Sequence, residues 1–245
     1  MKVTALWRHP IKSHGREALE RVTLTKGLAM PFDRLWAVAH DAAKTDGTAW
    51  APCQNFSIGS KSPALMAITA TLDETSETIT LRHPRQPDLT VQPDTQFAEL
   101  LAWVRPLADA NRPLPDRIFR LDGRGFTDTP FASVSFCNRA SHAAVEAITG
   151  SPLQKARWRG NIWFDGVTPW EEFGWMGRDI RIGTAKLRIE ERIRRCKATT
   201  ANTDTGERDI DTLKALNTLD HQDFGVYATV IESGDIALGD PLELI

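Results

Sequence analysis

Cys196 lies in the run Arg194-Arg195-Cys196-Lys197-Ala198-Thr199-Thr200, followed by Asn202-Thr203-Asp204-Thr205-Gly206-Glu207. Guanidinium and ammonium groups stabilise a thiolate over a thiol, so this cysteine is expected to ionise more readily than a free one. A thiolate is both a nucleophile and a soft-metal ligand. The competing reading is a half-buried strand cysteine beside outward-facing arginines. Elsewhere, His9-Pro10-Ile11-Lys12-Ser13-His14-Gly15 presents an ammonium beside a hydroxyl, a contact suited to an anion or phosphate. Asp33-Arg34-Leu35-Trp36 sets an arginine at the mouth of a strand, where it pairs with Asp33 or reaches a bound anion. Arg157-Trp158-Arg159-Gly160-Asn161 carries two arginines at spacing two. From a strand they would point the same way, suiting a phosphate or polar heterocycle, while basic and aromatic interleaving also suits single-stranded nucleic acid. Ser141 reads as a helix N-cap, with free helix N–H groups as a further anion contact.

These residues need a scaffold, and the pattern around them is strand-rich. Short β-like runs span residues 3–9, 21–25, 34–40, 66–72 and 78–82, many separated by turn signals such as Lys26-Gly27 and Asp46-Gly47. Helical patterns cover 97–104, 141–148 and 211–216. The expected fold is mainly β with a few helices, arranged as two β-barrel-like halves. The proline-marked Ala110-Asn111-Arg112-Pro113-Leu114-Pro115 and the glycine-rich Leu121-Asp122-Gly123-Arg124-Gly125 suggest the connection, giving expected units of residues 1–110 and 111–245.

Composition removes several function classes. Thirty Lys and Arg residues against thirty-two Asp and Glu leave a net charge of -2, which argues against a protein built to coat nucleic acid. Cys53, Cys137 and Cys196 are odd in number and far apart, so no disulfide framework, multi-cysteine zinc site or iron–sulfur cluster is signalled. The six histidines show no HExxH or paired ligand spacing, and GxSxG, P-loop and GxGxxG patterns are missing. The acidic stretch 202–211 fails the EF-hand ligand pattern and reads as a polar connecting loop. With no apolar run of signal-peptide or membrane-span type, the chain reads as soluble and cytoplasmic, with no membrane or nucleic-acid partner.

In their order, these segments resemble a MOSC-domain protein with its N-terminal β-barrel partner, the family that includes the mitochondrial amidoxime-reducing components. The matching stretches run from His9-Pro10-Ile11-Lys12-Ser13 through Gly27-Leu28, Asp33 to Trp36, Asp128 to Pro130, Ala140-Ser141 and Arg157 to Ile162. They continue with Arg195-Cys196, Thr199-Thr200, Thr205-Gly206, Phe224 to Tyr227 and Gly239-Asp240-Pro241. The resemblance implies a molybdenum cofactor, a pterin whose dithiolene holds the metal and whose phosphate the protein grips. It implies Cys196 as the metal ligand and catalytic residue. It also implies cofactor contacts from Lys12, Ser13, Arg34, Ser141, Arg159, Asn161, Arg195 and Tyr227. Departures include Gly160 in place of a common proline, Arg139 where relatives can carry an acid, and no second cysteine beside Cys196 in sequence.

The leading expectation is an oxidoreductase that removes oxygen from N-hydroxylated or N-oxide small molecules, with electrons from an external donor protein because no ferredoxin-type segment is present. The alternative is a molybdopterin or sulfur carrier that uses Cys196 without substrate turnover. A β-rich nucleic-acid binder using Arg157 to Arg159 is a third reading, disfavoured by the charge balance.

Overall fold

The structure, a computed structural model, describes residues 1–245. Its largest element is a curled, half-barrel sheet of eight strands in the order Leu242–Leu244, Asp179–Ile182, Ala185–Arg194, Asp223–Glu232, Val134–Asn138, Ile162–Asp165, Lys2–Arg8 and Glu17–Leu19. Neighbours are antiparallel except Val134–Asn138 with Ile162–Asp165, a parallel pair whose connection carries the helix Arg139–Thr149. Parallel neighbours need such a crossover. In Ala185–Arg194 the side chains alternate, with Ala185, Leu187 and Ile189 inside and Arg188 and Glu190 outside. The pattern then breaks: Glu190, Glu191 and Arg192 are all exposed before Ile193 turns in again. Register shifts between Ile189 and Glu191 and between Arg192 and Arg194 are the cause, because a bulge redirects the side chains around it.

The sheet encloses a core of twenty-one buried apolar residues that includes Phe136, Phe164, Ile180, Leu187 and Val226. A second core of seventeen lies between the meander Thr69–Asp73, Thr78–His83, Gln86–Val91, the helix Phe97–Val104 and Trp36. The strand-rich reading with few helices therefore holds. Strands also pair across position 110/111 in both directions. Lys2–Arg8 pairs with Ile162–Asp165, Arg21–Leu24 with Gly234–Ala237, and Pro115–Arg120 with Trp36–His40.

Local readings are adjusted in four places. The strand expected from Arg34 starts at Trp36, because Arg34 itself has a left-handed backbone. The 66–72 run divides into a tight turn, Pro63–Ala67, and the strand Thr69–Asp73. The helix expected at 141–148 starts at Arg139 and is capped by Asn138, whose side-chain oxygen accepts from Ala140 N at 2.9 Å, so Ser141 is not the cap. Arg157 lies in a 3-10 turn, Lys155–Trp158, and Arg159 in a left-handed conformation after it, so this segment is no strand.

Candidate active site

A cleft of about 500 Å³ is lined by residues from both halves of the chain. Lys12, Ser13, Arg34, Cys53 and Ile58 to Ser60 come to it from the first half of the chain. Asp128, Arg157 to Arg159, Glu191 to Cys196 and Tyr227 come from the second. Seven arginine and lysine residues line it with two acids, Asp128 and Glu191; Lys12, Arg34 and Arg157 are paired with Asp128, Asp33 and Asp209, which leaves Arg159, Arg192, Arg194 and Arg195 as a cationic surplus. A concavity of about 570 Å³ near Arg8 and Asp235 lacks that surplus, since Arg8 is already held by Glu17 at 2.7 Å and Glu74 at 2.5 Å.

The first-half wall is anchored by Asp33. Its buried Oδ1 accepts from His9 N at 2.8 Å and faces His9 Nδ1 at 3.2 Å, while Oδ2 accepts from Arg34 Nη1. Burial works to raise the Asp33 pKa, but Arg34 and the His9 contacts outweigh it and hold the carboxyl below the usual range. The backbone is equally constrained: Arg34 N donates to His9 O at 2.7 Å and Phe126 N to Arg34 O at 2.8 Å. Gly125 packs onto this corner so closely that a Cβ there would lie 2.5 Å from Asp33 O. Lys12 Nζ donates to Phe126 O at 2.8 Å and Asp128 Oδ1 at 2.5 Å. Enclosure in the cleft opposes ionisation of Asp128, yet Lys12 and Arg34 keep its pKa below the ordinary value.

Three site residues hold positive φ without being glycine: Ser13 at 62°, Arg34 at 55° and Arg159 at 47°. Left-handed backbone at such residues costs roughly 1–3 kcal/mol each and collects at functional sites. Arg159 is the most exceptional. Its Nη1 donates to Gly15 O at 3.2 Å, its buried Nη2 has no partner, and no carboxylate pairs with it. Burial, then Arg34, push its pKa down to about 9, against the opposing pull of Asp33 and Asp128.

The opposite wall follows the bulged end of Ala185–Arg194. Arg195 is turned inward, donating to Trp158 O at 2.7 Å and Phe224 O at 2.6 and 2.9 Å. That leaves Cys196 as the exposed thiol of the chain, at the start of the tight turn Lys197–Thr200, rather than in a strand. Tyr227 faces the cleft, its pKa raised by burial and by Asp128, so its hydroxyl stays protonated.

The fold therefore brings Lys12, Ser13, Arg34, Arg159, Arg195, Cys196 and Tyr227 to one cleft. Ser141 and Asn161 are not among its lining residues. Ser141 Oγ donates to buried Glu172 at 2.9 Å and accepts from Trp170 N at 2.8 Å. Asn161 Oδ1 accepts from Ser135 Oγ at 2.8 Å, and its Nδ2 donates to Trp7 O at 3.2 Å, bracing the sheet behind the cleft. One lining residue, Cys53, had no motif pointing to a site. It donates to Asp128 at 3.3 Å, and burial followed by Asp128 raises its pKa to about 11, so it stays a thiol. Asp128 itself belongs to one of the stretches that carry the family resemblance.

The donor set fits a molybdenum pterin. The unpartnered Nη2 of Arg159 and the surplus of cations suit a phosphate, and one accessible thiol suits a metal already carried by the pterin's own sulfurs. Such a metal asks for no cage of protein ligands, in agreement with the lack of any cluster of three or more His, Cys, Asp or Glu side chains placed to hold one.

A fold of this kind, strand-rich with a cationic cleft, defines the class, and the sequence defines the family. The model for the MOSC N-terminal beta barrel domain matches residues 1–109, and that for the MOSC domain matches residues 124–243. The chain belongs to the MOSC family, whose domains are associated with binding the molybdenum cofactor. Solved structures similar to it include YiiM from Geobacillus stearothermophilus, at 21% identity over 46% of this chain and 53% of that one, with a TM-score of 0.37. YiiM from Escherichia coli gives 20% identity, 46% and 53% coverage and a TM-score of 0.33. The YUAD protein from Bacillus subtilis gives 12% identity, 99% and 94% coverage and a TM-score of 0.47. The match spans about half the length of the two YiiM chains. Comparison with curated proteins finds no match. No helix is long and apolar enough to cross a membrane.

Proposed function

We propose that this protein binds a molybdenum pterin cofactor and reduces N-hydroxylated or N-oxide small molecules. The observation that carries the reading is the pairing, in one cleft, of a half-buried guanidinium with an unpartnered Nη2 and no ion pair, Arg159, with an exposed thiol, Cys196. Arg159 would hold the phosphate of the cofactor, with Lys12, Ser13 and Arg34 beside it on a wall already rigid before binding. Cys196 would be the protein's ligand to the metal. When bound, the cofactor supplies the two-electron chemistry of oxygen removal, in which an N–OH group takes up two electrons and two protons, becomes N–H and releases water. Tyr227, kept protonated, offers a hydroxyl donor to the polar end of a substrate. Electrons come from a separate donor protein, since the chain has no cysteine cluster to carry them.

The test is molybdenum and pterin content after production in a host that makes the cofactor, together with reduction of benzamidoxime by a chemical electron donor. Near-stoichiometric metal in the native protein, lost with activity in Cys196→Ala, is expected. Pterin retention that survives Arg159→Ala would remove the role given to that arginine. The exposure of Cys196 also supports a second reading, a sulfur or molybdopterin carrier without turnover. A persulfide on Cys196 in protein free of molybdenum would favour it.

A further inference from the structure

Arg157 stands outside the cofactor set, yet it is the most fully buried cation of the cleft wall, at 1% exposure. Its Nε donates to Gln154 Oε1 and its Nη2 to Asp209 Oδ2, each at 2.7 Å. These two bonds fix the plane of the guanidinium. The third nitrogen, Nη1, is buried without any partner. Nature seldom leaves a charged donor in that state, because its lost hydration is returned by nothing in the protein. A ligand oxygen in the cleft would return it.

The position of Arg157 separates it from Arg159. Its turn, Lys155–Trp158, packs against Lys197–Thr200, the turn that follows Cys196. Asp209, which holds it, also lines a neighbouring groove of about 580 Å³ of mixed charge, with Lys197, Arg208, Asp211 and Lys214. Lys12, Ser13 and Arg34 belong to the other half of the chain. Arg157 thus sits on the thiol side of the cleft, where the substrate must approach.

We propose that Arg157 Nη1 forms a second oxyanion subsite that receives a carboxylate or phosphate of the substrate, so the preferred substrates are N-oxygenated molecules bearing such a group. The proposal rests on the reading of the cleft as a cofactor site served by Arg159. Inorganic phosphate is titrated by calorimetry at low ionic strength into cofactor-loaded native protein, Arg157→Gln and Arg157→Lys. The lysine variant keeps a cation beside Asp209 while deleting the fork, and thermal melting checks that each variant is folded. Native protein is expected to bind phosphate, and both variants to bind it about tenfold more weakly. Reduction of benzamidoxime and 4-carboxybenzamidoxime is compared in parallel. Native protein is expected to show a lower KM for the carboxylate, with the ratio of the two KM values shifting about tenfold in Arg157→Lys. Phosphate binding that ignores Arg157, or equal KM values for the two amidoximes in native protein, overturns the subsite. Failure to reduce either amidoxime would sink the reductase reading, while the phosphate titration still decides the role of Arg157.

Discussion

The two walls of the cleft are built in opposite ways. On one side, Arg34 is buried, paired with Asp33 and held in a left-handed conformation under Gly125, and Lys12 is spent on Asp128 and a carbonyl. On the other, the bulged strand end delivers Arg192, Arg194 and Cys196 to the solvent, with no carboxylate within ion-pair reach of either arginine. The difference is one of preorganisation: a wall whose side chains and backbone are already fixed leaves little ordering to be done when a ligand binds, whereas an exposed wall must order on contact.

The largest expected break falls on the rigid wall. Asp33→Ala leaves Arg34 buried without its carboxylate and removes the acceptor of His9 N, which should cost about 3–5 kcal/mol, read from urea unfolding. The exposed wall should tolerate change: Arg194→Ala is expected to shift the same midpoint by less than about 0.5 kcal/mol. Comparable losses in both variants would end the contrast.

A pH titration sharpens it. Burial lowers the His9 pKa from 6.5 to about 3 and the His14 pKa from 6.5 to about 4. Below about pH 6.5 the unfolded chain takes up protons that the folded chain refuses. The stability these groups contribute is therefore present above about pH 6.5 and is lost as pH falls toward about 4. Asp33 and Asp128, held below the carboxylate range, extend the loss to lower pH with the same sign. A urea midpoint that stays flat from about pH 7 to pH 4 would contradict the buried, neutral state of the histidines.

Thiol chemistry gives a smaller, cleaner contrast. Iodoacetamide under native conditions should label Cys196, exposed, well before Cys53, whose thiol is raised to about 11, and Cys137, fully buried and raised to about 12. Peptide mapping after brief treatment reads the order. The smallest effect is Ser13→Gly, which relieves a φ of 62°. It should alter stability by no more than about 1 kcal/mol, glycine's extra chain entropy offsetting the strain relieved, while loosening the anion-facing turn and lowering pterin retention.

Much of this was legible from residue types in order. Cys196, Arg159 and Lys12 with Ser13 each had an ordinary structural reading alone, and it was their order along the chain, matching the family resemblance, that raised them; the helix over residues 97–104 was read at its structural bounds. What escaped was set by tertiary packing. Ser141 and Asn161 look like ligands in sequence because hydroxyl and amide groups serve either purpose, and only the nearness of Glu172 and Ser135 shows where their bonds go. The spacing of Arg157 and Arg159 suggested a shared strand face. Both reach the cleft through a tight turn and a left-handed residue, a backbone choice that no hydrophobic period announces. Cys53 lacked any signal because its partner, Asp128, lies seventy-five residues away.

The pairing of Lys2–Arg8 with Ile162–Asp165 bears on how the molecule is made. During synthesis the opening strand leaves the ribosome long before the strand that will hold one of its edges, and Arg21–Leu24 waits longer still for Gly234–Ala237. Until then it carries an open edge and unburied residues, Val3 and Leu6 among them, which is the form of chain that aggregates or engages chaperones. The cleft, drawing on residues from Lys12 to Tyr227, is therefore among the last features to form.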